Sequence, residues 1–209
     1  MKKQKSPLSI KILFWLSTIS FWLMSIITVV VIVENAIILF GNYSHEFQMI
    51  INLPVPIEVV ETGVLHLDNG DFNVKIENAY GRLRFVDAPM FVTKKVIQLV
   101  LFFILIGWFI TWKFRNFMKN IKNGRYFEIA NINNLKHISY GLVMLYVTTR
   151  VYMGIMKNVV EKSLEFSSVT VGGDMYDTDV IIYAALMLWV LAHIFVKGIE
   201  LKQEQELTI

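Results

Sequence analysis

The sequence predicts an all-α membrane bundle: four transmembrane helices, with a small antiparallel β insertion in the first extracytoplasmic loop. Composition is the first reason. Of 209 residues, 55% are apolar and 18% charged, and mean hydropathy is +0.53, more apolar and less charged than an average soluble domain. The second reason is four long apolar runs. The third is that the segments between them alternate between basic and acidic. The same composition excludes a disordered chain, which needs low hydrophobicity and high net charge. The absence of cysteine excludes a disulfide scaffold, an iron–sulfur site and a thiolate zinc site.

A helix needs about 20 largely apolar residues to cross about 30 Å of hydrocarbon. The single membrane domain, 1–209, has spans at about 12–36, 96–113, 138–156 and 180–197. Ile12–Val33 carries no formal charge, and the apolar run continues past Glu34 toward Phe40. Lys2, Lys3, Lys5 and Lys11 resemble the basic region of a signal peptide. The run after them is longer than an h-region of about 7–15 residues and lacks a small-x-small cleavage site, so it reads as an uncleaved anchor. The second run, Val96–Trp112, lies between Lys94-Lys95 and Lys113. The third and fourth each contain a costly polar group, Arg150 and His193.

Lys and Arg are retained on the cytoplasmic side. Segment 1–11 has four Lys and no acid, and 113–137 has Lys113, Arg115, Lys119, Lys122, Arg125 and Lys136 against Glu128 alone. Segment 157–179 has two Lys against Glu161, Glu165, Asp174, Asp177 and Asp179, and 41–95 has five bases against seven acids. Lys94 and Lys95 run mildly against this trend. The pattern predicts both termini in the cytoplasm and segments 41–95 and 157–179 outside, with Trp108 and Trp112 near the inner interface. The net charge of +3 is thereby assigned to topology, and no direct nucleic-acid binding is expected.

The outer segment 41–93 is too long for a mere connection. Val55–Val60 reads as a short strand that its prolines limit to a sheet edge. Val64–Leu67 and Phe72–Ile76 alternate apolar with polar around Asp68-Asn69-Gly70-Asp71, where Asn-Gly suits a type I′ hairpin turn. Leu83–Val86 adds another strand, since a hairpin alone is marginal. Asp68–Asp71 fails the calcium-loop pattern, because Gly70 and Phe72 occupy positions that need acids. Asp174, Asp177 and Asp179 read as a solvated acidic loop.

In the inner segment 113–137, Phe114, Phe117, Met118 and Ile121 recur at helical spacing between the bases. That is a basic amphipathic helix able to lie on an anionic leaflet, or else a plain positive-inside loop. Asn123-Gly124 ends it. Glu34 and Arg150 both fall in the outer half of their spans. A Glu34–Arg150 pair inside the bundle would fix packing or line a substrate or ion path; alternatively Arg150 snorkels outward. His137 and His193 lie at one depth, but without metal-ligand spacing. No serine-hydrolase, phosphate-loop or zinc-protease motif is present. The expectation is therefore no enzyme, no catalytic residues, no metal and no cofactor.

The run Gly124-Arg125-Tyr126-Phe127-Glu128-Ile129-Ala130-Asn131, followed by Leu135-Lys136-His137-Ile138, and the ending Leu201-Lys202-Gln203-Glu204-Gln205-Glu206-Leu207-Thr208-Ile209 carry a resemblance. They resemble the bacterial "domain of unknown function 2975" family of small four-helix membrane proteins. That family shows Gly-x-x-Phe-x-x-x-Asn, then Leu-(Arg/Lys)-x-Ile entering span three, and a Leu-x-x-(Glu/Gln)-x-(Asp/Glu)-Leu-Thr-(Ile/Val) end. Tyr126 stands where Pro is common and Lys136 where Arg is common. The motif resemblance covers about 120–209 and does not extend to the outer β segment.

The resemblance implies no established activity and a bacterial inner-membrane location. It also implies association with a small Cro-type helix-turn-helix regulator encoded nearby, an inference by association only. Phe127 and Asn131 are four apart and share a face if helical. Asn131 is placed to cap span three, with Leu135 beneath it. The expected partners are the lipid bilayer and a cytoplasmic transcriptional regulator, with a homo-oligomer left open. The residues proposed to hold the regulator are Gly124, Phe127, Asn131, Leu135, Glu204, Glu206 and Leu207, the last three from the cytoplasmic tail 197–209. The alternative is a small transporter or lipid-binding bundle using Glu34 and Arg150.

Overall fold

A computed structural model describes residues 7–40, 51–58, 61–67, 70–76, 79–85, 90–163, 170–171 and 178–207. Four helices dominate: α1 (Leu8–Phe40), α2 (Met90–Lys122), α3 (Ile129–Ser163) and α4 (Asp179–Leu207). All four are long and apolar enough to cross a membrane. At 1.5 Å per residue, a helix of 33 residues such as α2 is roughly 50 Å long. That exceeds a hydrocarbon core of about 30 Å, so the helices have turns to spare beyond the bilayer. Residues 113–122 accordingly continue α2 without a break, and 129–137 already belong to α3. The connection between α2 and α3 is only 123–128, not a separate helix lying on the leaflet.

Helix α1 is turned inside out relative to a soluble helix. It buries Ser17, Thr28 and Asn35 and exposes Leu16, Trp22 and Ile26. Lipid is as apolar as these side chains, so outward apolar residues carry no penalty there. The inward polar groups bond their own helix, though Asn35 Oδ1 is buried with no hydrogen-bond partner. Ser17 Oγ donates to the carbonyl of Phe14, Thr28 Oγ1 to that of Met24 and Asn35 Nδ2 to that of Val31.

Successive helices pack antiparallel. Met24 lies against Gly107, Phe21 against Trp108, and Lys122 over the Phe14 ring. The contacts thus run forward on α2 as they run back on α1. Trp108 Nε1 donates to Ser25 Oγ at 3.0 Å, and Ser25 Oγ donates in turn to the carbonyl of Phe21. The indole expected near the inner interface is therefore engaged by α1: a buried N–H needs a partner, and Ser25 supplies it. Between α2 and α3, Phe109 meets His137 edge-on, and a Cβ at Gly141 would fall 2.7 Å from Ile110 Cγ1. Between α3 and α4, Ser139 Oγ donates to the carbonyl of Ala185, and Tyr146 Oη to Asp179 Oδ1 at 3.1 Å.

The chain divides into two compact units, Met1–Asn42 with Lys95–Thr149 and Thr178–Ile209, and Tyr43–Lys94 with Arg150–Asp177. The second contains the β structure: β1 (Ile51–Glu58), β2 (Glu61–Leu67), β3 (Gly70–Ile76), β4 (Ala79–Phe85) and β5 (Thr170–Val171). β1 and β4 pair from Ile51↔Phe85 to Ile57↔Ala79, and β2 and β3 from Glu61↔Ile76 to Leu67↔Gly70. The two ladders belong to separate sheets, one of three strands in the order β4-β1-β5 and one of two, β2-β3.

The last pair, Leu67↔Gly70, leaves Asp68-Asn69 as the two-residue connection, which lies outside the described residues. Gly70 therefore begins β3 instead of sitting in the turn, with φ at +130°, a conformation open to glycine. β1 is also not confined to an edge: it lies between β4 and β5. Its prolines are compatible with this, because β5 pairs only with Ile57 and Glu58, beyond Pro54 and Pro56.

The β1–β5 pairing joins two segments separated by α2 and α3, and so requires both to lie on one side of the membrane. Opposed residues in an antiparallel pair are about 4.5–5.5 Å apart at Cα, within disulfide reach. The chain has no cysteine, so the Ile57→Cys/Val171→Cys and Glu58→Cys/Thr170→Cys pairs test this directly. At least one should form an intramolecular disulfide under mild oxidation, seen as a reducible mobility shift. Failure of both would refute the pairing.

Candidate functional site

The site is built on the turn between α2 and α3. Gly124 ends α2 with φ at +79°, a conformation that costs other residues on the order of 1–3 kcal/mol. Gly124 N–H donates to the carbonyl of Ile121, and Arg125 N–H to that of Asn120. This is the Schellman arrangement that closes a helix on glycine. The chain then runs irregularly to Glu128, whose carbonyl accepts the first bonds of α3 from Asn131 and Ile132 N–H. Glu128 also pairs with Arg125 across 3.7 Å, an exposed contact of little stabilising value.

Asn131 is buried, 2% exposed. Its Nδ2 donates to the carbonyls of Arg125 and, at 3.2 Å, Tyr126. It therefore does not cap α3 by accepting from the helix. It reaches back and holds two carbonyls of the irregular segment, which lack partners of their own in the helix. Leu135, one turn on, is 3% exposed and forms a core with Ile132 and Ala192 of α4. Phe117, Leu188, Phe195, Val196 and Ile199 pack around it. This cluster ties the end of α2, the start of α3 and the middle of α4 together.

Phe127 lies outside any helix, so it does not share a helical face with Asn131. Its ring centroid is 5.8 Å from that of Phe195, and it lies against Gly198. It remains 54% exposed. Tyr126 and Ile129 beside it are exposed too, at 42% and 66%. On the tail, α4 runs helically to Leu207, with Glu204 exposed and Lys197 bonded to Glu200 at 2.6 Å. Glu206 and Leu207 lie in that last turn.

Of the residues expected to contact a partner, Gly124, Asn131 and Leu135 thus shape the turn. Phe127 and Glu204 are presented outward. Sequence reasoning missed Phe195, Gly198, Ile132 and Ala192. Their signal was the spacing of small and apolar residues along α4, which in a membrane helix cannot be told from lipid-facing sequence.

Glu34 is exposed on α1 and Arg150 on α3, and the two belong to different compact units. His137 Nδ1 bonds the carbonyl of Asn133, and His193 Nδ1 that of Trp189, each within its own helix. No group of three or more metal-ligating side chains occurs among the described residues.

A four-helix membrane protein with a locked α2–α3 turn and two small antiparallel β-sheets is the class that these features define. The chain belongs to the family described as protein of unknown function (DUF2975), whose family model matches residues 46–209. The match takes in the β segments as well as the motifs of the turn and tail, and leaves out α1. No curated protein and no solved structure matches the chain.

Replacing Asn131 by Ala removes both amide bonds and leaves two carbonyls without them, a loss of about 1–3 kcal/mol. Asn131→Asp should cost more, since a carboxylate would face two carbonyl oxygens. In detergent, both variants should melt earlier than the parent and be cut faster by trypsin at Arg125. Unchanged melting and cleavage would show that the turn is not held by Asn131.

Proposed function

We propose that this multi-pass protein is a non-enzymatic regulatory or sensory component of the bacterial inner membrane. Both termini and the α2–α3 turn lie in the cytoplasm, and the turn with the α4 tail binds a protein partner such as a small helix-turn-helix regulator. The observation that carries this reading is the exposed trio Tyr126, Phe127 and Ile129, seated on the buried Asn131 and Leu135. Aromatic side chains presented on a rigid base, with charges around them, are the composition of a binding hot spot. They stand within 113–137, the most basic stretch between spans, where the positive-inside rule puts the cytosol. The resemblance to a family associated with small Cro-type regulators supports the choice of partner. The β structure, on the acidic segments, is the part that would meet a signal outside.

Topology is testable by reporter insertion. A phosphatase reporter should be active after Asn78 and inactive after Asn123, and a cytoplasmic reporter should show the reverse; swapped activities would overturn the orientation. The partner reading is tested by co-expressing a tagged small helix-turn-helix regulator of the Cro type. It should co-purify with the full chain, and lose most of its yield with Phe127→Asp/Ile129→Asp or on deletion of 201–209. Membrane content of each variant should stay unchanged. Equal recovery from both variants and the parent would refute the reading.

A further inference from the structure

We propose that the paired ends of α1 and α2 form a site for the phosphate headgroup of an anionic phospholipid. Arg115, Lys119 and Lys122 are spaced by four and three residues, which puts them on one stripe of α2 about 10 Å long. Like charges at such spacings repel one another along a helix. Among the described residues no carboxylate pairs with any of the three.

Their stems are nonetheless organised. The Arg115 guanidinium lies 5.0 Å from the centroid of the Phe21 ring, and Lys122 Nζ lies 4.0 Å from that of Phe14. Both rings belong to α1, so the neighbouring helix orients two cations of the stripe. Ring faces attract the cations but offer no hydrogen-bond acceptor. Arg115 Nε is buried and has no hydrogen-bond partner. Lys11, one turn before Phe14 on α1, adds a further cation.

The occupant that fits has an anionic head and an apolar body. The head would accept from Arg115, Lys119 and Lys122, with charge-assisted bonds to guanidinium and ammonium. The body would follow the outward apolar surface of α1, where Leu13 and Leu16 are 49% and 61% exposed. A free phosphate would use only the cations and leave this surface uncovered. Lys113, by contrast, sits over the rings of Phe109 and Trp112 on its own helix. Two residues before Arg115, it is turned about 200° from the stripe.

The test uses purified full-length chain in phosphatidylcholine vesicles titrated with brominated phosphatidylglycerol, read by tryptophan quenching against brominated phosphatidylcholine. No protein partner is present, so its outcome is independent of the regulator reading. The full chain should select phosphatidylglycerol. Lys119→Gln and Lys122→Gln should each lower that selectivity about fivefold. Lys113→Gln should leave it unchanged, and Lys122→Arg should retain it, showing that a substituted chain still folds. Equal quenching by the two lipids would overturn the proposal. So would an equal effect of Lys113→Gln and Lys122→Gln, which would mark a bulk charge effect. Loss of selectivity on adding inorganic phosphate would assign the stripe to a free anion and overturn the lipid.

Discussion

Hydrocarbon supplies no hydrogen-bond partner, and this constraint organises the protein. In α1 it reverses the usual arrangement of a helix: Ser17, Thr28 and Asn35 face inward and bond their own backbone, while leucine, isoleucine and tryptophan face out. It also explains the Trp108–Ser25–Phe21 relay, in which a part-buried indole N–H is satisfied through a hydroxyl to a helical carbonyl. Apolar association contributes little between helices already dissolved in lipid. Close approach at small residues takes its place, as where Met24 reaches Gly107 and Ile110 reaches Gly141.

The same constraint ends where the helices leave the lipid, and there the design changes. At the α2–α3 turn the chain must reverse within six residues, and its carbonyls cannot all find helical partners. Gly124 supplies the backbone conformation, Asn131 supplies two donors, and Leu135 with Ile132 and Ala192 supplies a small apolar core. Beside this held turn, Tyr126, Phe127 and Ile129 are left exposed.

The β structure solves a different problem. A lone hairpin is marginal in water. Here the β4–β1 pair is extended at one edge by β5, two residues that lie between α3 and α4. That pairing is small, but it joins segments far apart in the chain.

Much of this was legible in the chain itself. Four spans followed from long apolar runs, because the cost of a charge in hydrocarbon shapes sequence directly. The strands followed from period-two alternation, and the end of α2 from Asn123-Gly124. What resisted was everything decided between segments. The continuation of α2 to Lys122 was hidden because a basic amphipathic run reads alike whether it bends onto the leaflet or extends beyond it. β5 was invisible, since two residues carry no periodicity. Pro54 and Pro56 argued for an edge, but they limit only the positions they occupy, and β5 pairs beyond them. Asn131 read as a cap because the sequence shows an amide near a helix start and not the direction in which it donates. Local chemistry and the solvent around each segment determined the helices, strands and breaks; which carbonyls Asn131 holds, which face of α4 meets Phe127, and which rings sit under Arg115 and Lys122 depend on distances between segments far apart in the chain, and only packing sets those.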